Sequence, residues 1–180
     1  MAILFAGCPG LFAAENSGST DTSWKLTVRD KDLEIYSRAR AGSPHKEFKA
    51  VATIDAPTRA LGAVIDDFEN YPKFMPFTTE CRLIKQDGDT MIGYQRLSPK
   101  ICADRDYTLR VSKKAWPLPD GLLYTSRYSI YTDSGGAIPS FVGNHINVSG
   151  IRRLFVALRK QVKDPKYAAA STASSMPARP

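Results

Sequence analysis

The sequence predicts an α+β fold: a layer of antiparallel strands with one long C-terminal helix packed across it. Three observations predict this. Apolar and polar residues alternate through Leu33-Glu34-Ile35-Tyr36-Ser37-Arg38, and Phe48, Ala50, Ala52 and Ile54 share one face of a following stretch, the period of half-buried strands. Further alternating stretches separated by turn residues follow between residues 81 and 131. Near the C-terminal end, Val148, Ile151, Leu154, Phe155, Leu158 and Val162 recur at three- and four-residue steps, the period of a helix with one apolar stripe. Strands gathered together and closed by a helix, rather than alternating with helices, indicate α+β.

The chain has 180 residues, 43% of them apolar, enough for one domain with a substantial core, expected over residues 24–164. Leu33 to Arg38 and Phe48 to Ile54 pair as a hairpin through the turn Gly42-Ser43-Pro44. Asp55-Ala56-Pro57 then marks a helix start, with Asp55 as the expected cap and Pro57 in the first turn. Leu61, Val64, Ile65 and Phe68 follow at helical spacing, and Asn70 to Pro76 ends the region because Pro76 cannot continue a helix. A second hairpin runs from Cys81 to Leu97 through Asp87-Gly88-Asp89. Asp106 to Val111 is a strand with Tyr107, Leu109 and Val111 on one face. Trp116 to Gly121 is expected as a turn, and Leu122 to Tyr131 as the next strand. The final helix is expected from about Pro139 to Lys163, with Arg152, Arg159, Lys160 and Lys163 away from its apolar stripe. Residues 165–180 are rich in Ala, Ser and Pro and are expected to form a disordered tail.

Residues 1–23 have the composition of an export segment. Met1 to Ala14 is apolar or small and carries no acid, but the positive start of a complete signal peptide is missing. Phe5-Ala6-Gly7-Cys8 resembles a lipoprotein box, with Phe5 where Leu is usual. The segment is therefore expected to be signal-peptide-like or disordered. The protein is expected to be exported, periplasmic or secreted, with lipid attachment at Cys8 left open. Of the remaining cysteines, Cys81 and Cys102 have no spacing that argues for a bond, and two buried free thiols are expected. His45 and His145 lack ligand-spaced partners, so neither a metal nor a cofactor is expected. The net charge of +7 favours contact with an anionic surface. A membrane is favoured over nucleic acid, because no cationic run is interleaved with aromatics.

Several segments, in their order along the chain, resemble START (steroidogenic acute regulatory protein-related lipid transfer) domains of the bacterial type. They are Trp24 with Leu33 to Arg38, Lys46 to Ala50, the helix start Asp55-Ala56-Pro57, Pro99 to Tyr107, and Gly135-Gly136-Ala137-Ile138-Pro139. Asp67 to Pro72 is also similar to segments of the wider helix-grip superfamily, which includes polyketide cyclases and Bet v 1-like proteins. The resemblance implies a curved antiparallel sheet gripping the C-terminal helix around a cavity for one lipid. Tyr107, Leu109, Val111, Ile151, Leu154, Phe155 and Leu158 would line that cavity, though for any single one of them a place in the ordinary core is the favoured reading. Leu97, Pro99 and Ile101 would form a gate loop, and Asp104, Arg105 and Asp106 a structural salt bridge. The chain departs from the pattern in one place. The family implies several strands between Arg105 and Gly135, yet there is room for about two, so some central strands are missing. Such a loss would open one side of the grip, leave an edge for dimerisation, or abolish binding.

The implied function is non-enzymatic binding, and transfer, of a sterol, fatty acid or phospholipid. Two alternatives stand beside it. A cyclase or aromatase would need an acid or base in the cavity, for which Tyr94 or Tyr107 are the candidates. A membrane-surface module would use the basic side of the last helix.

Overall fold

The architecture was read from a computed structural model that describes residues 2–5, 23–118, 121–134 and 140–168. Cys8, the remainder of the N-terminal segment, Gly135 to Pro139 and the tail beyond residue 168 lie outside the described residues. The described chain forms two four-stranded antiparallel sheets and helices, arranged in two compact units. One unit comprises Met1–Ile54 with Gly136–Phe155, the other Asp55–Gly135 with Val156–Pro180.

The first unit orders its strands β1-β4-β3-β2, with β1 at Ala2–Phe5, β2 at Lys25–Asp30, β3 at Leu33–Arg40 and β4 at Ser43–Ala52. The N-terminal segment thus contributes an edge strand, paired with β4 from Ala2↔Val51 to Phe5↔Phe48. β3 alternates as its sequence demands. Leu33 and Ile35 turn inward, while Glu34, Tyr36 and Arg38 lie on the other face, where Arg38 pairs with Glu47 directly across the ladder at 2.7 Å. The turn before β4 is Ala41-Gly42, and Gly42 takes φ +69°, a left-handed conformation that suits glycine. Helix α2 spans Ser140–Gln161, and its first part lays Val148, Ile151 and Phe155 on Leu33, Ile35, Phe48 and Ala50. Arg152 fixes it further by donating to both carboxylate oxygens of Asp30 at 3.1 Å. In this unit the expected packing of helix across sheet is what the apolar stripe produces.

The second unit opens with α1, Thr58–Asp66, which buries Ala60, Leu61, Val64 and Ile65. Pro57, not Asp55, occupies the capping position, and no side chain caps the helix. A short 3-10 helix, Phe68–Lys73, follows and contains Pro72. The sheet order is β5-β6-β7-β8: β5 at Thr78–Asp87, β6 at Thr90–Leu97, β7 at Arg105–Leu118 and β8 at Gly121–Ser134. Two strands therefore occupy the span where the family pattern implies several. Trp116 and Pro117, expected in a turn, are strand residues paired with Leu123 and Leu122. The reason is local. β6 pairs with β7 only as far as Thr90↔Ser112, so the outer third of the β7–β8 hairpin is a two-stranded ribbon. There, the missing N–H of Pro117 costs no ladder bond. The expected tail from residue 165 begins instead as α3, Pro165–Ala168, in which Tyr167 is buried.

Candidate functional site

The candidate site is the inner face of the β5–β8 sheet, and pairing register defines it. Gly93 stands opposite Leu109 and Met91 opposite Val111, and these two β7 residues face Ile130 and Tyr128 on β8. Over β5 and β6 this face is covered. The 3-10 helix brings Phe68 and Tyr71 onto Cys81, Met91, Leu109 and Val111, with Phe74, Met75 and Tyr107 at the margin. Over β8 the cover among the described residues is partial: Tyr124 lies against Gly62 of α1, but the stretch beyond it is more open. Tyr128 and Ile130 remain 41% and 40% exposed, although Val111 and Leu109 directly beside them are buried.

Polar groups on this face are few and placed. The buried Tyr71 hydroxyl donates to the Ile65 carbonyl at 2.6 Å and lies 2.8 Å from the Tyr128 hydroxyl. A phenol has one proton, and Tyr71 commits it to a carbonyl that cannot donate, so Tyr128 is the donor of the second bond. Burial, together with the neighbouring Tyr128, holds the Tyr71 phenol well above its ordinary value. Two residues along β8, the Ser126 Oγ is buried and makes no well-formed hydrogen bond among the described residues, although it lies close enough to the Tyr128 phenol to oppose the rise that burial gives it. Buried hydroxyls are nearly always satisfied, so this one is suited to a guest molecule or a water.

At the C-terminal end of α1 two carboxylates, Asp66 and Asp67, stand where the helix dipole disfavours negative charge. Both are compensated. Asp66 Oδ1 is 2.7 Å from Lys113 Nζ and also accepts from the Tyr124 hydroxyl. Burial and that carboxylate raise the Tyr124 phenol above its ordinary value. Asp67 accepts from Asn70 at 2.7 Å, from the Tyr167 hydroxyl at 2.6 Å and from Lys166. Burial pushes the Asp67 carboxyl up, but these three donors outweigh it and leave it below the usual carboxylate range. Beside this cluster a hollow of about 120 Å³ is floored by Phe68, Leu83 and Met91. A second, of about 320 Å³, lies on the opposite face of the sheet, among Lys85, Asp87, Thr90, Ile92 and Arg110. Both are open to solvent.

The cavity-lining candidates fall into two groups. Ile151 and Phe155 pack in the core of the first unit, and Leu109 and Val111 in that of the second, each against protein side chains. Leu154 and Leu158 are buried, and Tyr107 is half-buried beside Leu109 on the inner face. In the gate loop Pro99 is buried, Leu97 half-buried and Ile101 exposed, and Lys100 takes φ +56°. Asp104 and Asp106 both approach Arg96 of the neighbouring strand, at 2.9 and 3.9 Å, whereas Arg105 opens β7 opposite Leu97. Ser98 and Arg96 hold the Asp104 carboxyl below its ordinary value. Tyr94 is opposite Thr108, so it occupies the outer face, where it donates to Asp106 at 2.7 Å and stacks under Arg82. Of the two tyrosines considered as cavity acids, only Tyr107 shares the inner face. Alternation alone did not indicate Tyr128, Ile130 or Ser126, because that requires the register of β8 against β7.

Residues 54–163 match the family of polyketide cyclases and dehydrases and lipid transport proteins. An uncharacterized protein of Pseudomonas aeruginosa is 24% identical over 171 residues, covering 76% of this chain and 85% of that one. The STAR-related lipid transfer protein from Xanthomonas axonopodis has a similar structure. Its TM-score is 0.64 at 19% identity, over 78% of this chain and 99% of the other. Human StAR-related lipid transfer protein 5 gives a TM-score of 0.60 at 15% identity, over 81% and 88%. At these identities the likeness establishes the fold, helix-grip α+β.

Proposed function

Because the chain belongs to the polyketide cyclase/dehydrase and lipid transport family, we propose that it binds one apolar molecule of lipid class and carries it without making or breaking a covalent bond. Sterols, fatty acids and phospholipids are the candidate cargoes. The observation that carries this reading is the open half of the inner face. Tyr128 and Ile130 expose apolar surface directly alongside a buried core; the 3-10 helix meets Tyr128 at its hydroxyl, through Tyr71, and part of both side chains stays open. Apolar surface in such a position is stabilised by an apolar guest, at roughly 25 cal/mol for each Å² withdrawn from water. The unsatisfied Ser126 hydroxyl and the Tyr71–Tyr128 pair supply the few polar contacts that would orient a guest's polar end. Tyr107, and through it the face it shares with Leu109 and Val111, borders the same surface.

The test is native mass spectrometry of the purified chain, before and after incubation with mixed lipid vesicles. A bound lipid is expected on the wild type. Retention should fall at least about tenfold in Ile130→Glu, because a charge placed on this face disfavours an apolar neighbour. Ile130 is exposed, so the variant should stay folded, and circular dichroism checks that. A chain that emerges bare and takes up none of the three lipid classes overturns the proposal.

A further inference from the structure

We infer that the outer face of the β7–β8 ribbon is a docking surface for an anionic lipid bilayer. The ribbon's two faces differ. On the inner face it is anchored: Tyr124 lies against Gly62 of α1 and bonds to Asp66, and Lys113 pairs with the same carboxylate. On the outer face nothing comparable among the described residues covers the end of the ribbon, where Trp116 stands opposite Leu123 and the two are 43% and 47% exposed. An indole beside an aliphatic side chain, toward the end of a hairpin, suits the headgroup region of a membrane.

The charge behind the tip is ordered along the strands. Going inward on that face, Lys114 is opposite Thr125, Arg127 opposite Ser112 and Arg110 opposite Ser129. All three cations are exposed, and the other three positions are serine or threonine, so this stretch of the ribbon carries no acid. Lys85 extends the cationic surface at the edge of the adjoining hollow, which Asp87 also borders. At about 3.4 Å per residue, Lys114 is about 7 Å and Arg110 about 20 Å from Trp116 along β7. With the indole at headgroup depth, Lys114 is within reach of lipid phosphates, and the arginines stand within about one or two Debye lengths of the anionic surface. A nucleic acid is a poorer match, since strand-binding platforms need a row of rings and the tip has one. The docking surface is on the opposite face from the cargo surface and does not depend on it.

Sedimentation with phosphatidylcholine vesicles, with and without phosphatidylserine, across a salt series tests the inference. The wild type should sediment with the phosphatidylserine vesicles at low salt and be released as salt rises. Lys114→Glu with Arg127→Glu should lower that binding at least about tenfold, and Trp116→Ser with Leu123→Ser by a similar factor. Neither pair should change lipid retention in native mass spectrometry, which separates this result from the cargo proposal. Equal binding by wild type and variants overturns the inference, as does failure to bind either vesicle. Tighter binding to an oligonucleotide than to vesicles would also overturn it. So would a concentration-dependent dimer that the Trp116/Leu123 changes abolish.

Discussion

The ring of Phe68 rests on the bare backbone of Gly93. A Cβ built at Gly93 would stand 2.5 Å from Phe68 Cε1 and 2.9 Å from Cζ. Phe68 is itself buried against Tyr71, with ring centroids 5.1 Å apart, so its ring cannot withdraw without disturbing that contact. Gly93→Ala should destabilise the second unit by about 1–3 kcal/mol, the usual cost of overpacking a filled core. Urea unfolding of the wild type and variant measures it, and an unchanged midpoint would show that the 3-10 helix is not held on the sheet here.

The tyrosine pair makes an asymmetric prediction. Removing the Tyr71 hydroxyl takes a partner from both the Ile65 carbonyl and the Tyr128 hydroxyl, whereas removing that of Tyr128 leaves Tyr71 still bonded to Ile65. Tyr71→Phe should therefore cost about 1–3 kcal/mol and Tyr128→Phe about 1 kcal/mol or less. Equal costs would contradict the donor assignment.

Asp67 supplies a pH dependence. Its folded pKa lies below its ordinary value, so the unfolded state binds the proton more tightly. The stabilisation is complete above the unfolded value and is lost as pH falls through the folded one. At pH 7, Asp67→Asn should lower the melting temperature. Below about pH 4 the gap between variant and wild type should close as the wild-type carboxylate takes up its proton. Melting curves at pH 7, 4 and 3 follow it, and a gap independent of pH would count against the three-donor arrangement.

Cys81 and Cys102 should separate by reactivity. Burial, with a smaller contribution from Glu80, pushes the Cys81 thiol up from 9.0 to about 12, roughly a thousandfold less thiolate at neutral pH. Cys102 is only half-buried. Iodoacetamide at pH 8 followed by peptide mass spectrometry should label Cys102 in the native protein and leave Cys81 unmodified until urea is added.

Much of this architecture could be read from spacing, and what could not has a physical cause. Leu61, Val64 and Ile65 repeat at helical steps because one side of α1 is buried, and Leu33 and Ile35 alternate because one side of β3 is. Trp116-Pro117 was expected in a turn, since proline interrupts a ladder, but the ribbon beyond β6 has no ladder on that side to interrupt. Arg96 carries no local signal because its acidic partners lie beyond the strand turn, on and beside the neighbouring strand, and the face of Tyr94 is fixed only by its pairing with Thr108. The inner-face residues of β8 were missed for the same reason. Tyr167 reads as tail from sequence because its partner, Asp67, is 100 residues away and no local pattern records the bond.

That last contact bears on where the gene should be cut for expression. The family match stops at residue 163. A protein trimmed to that limit would discard Lys166 and Tyr167, leaving the Asp67 carboxylate at the wrong pole of α1 with the Asn70 amide but no cation. The shortest version worth making runs through Ala168.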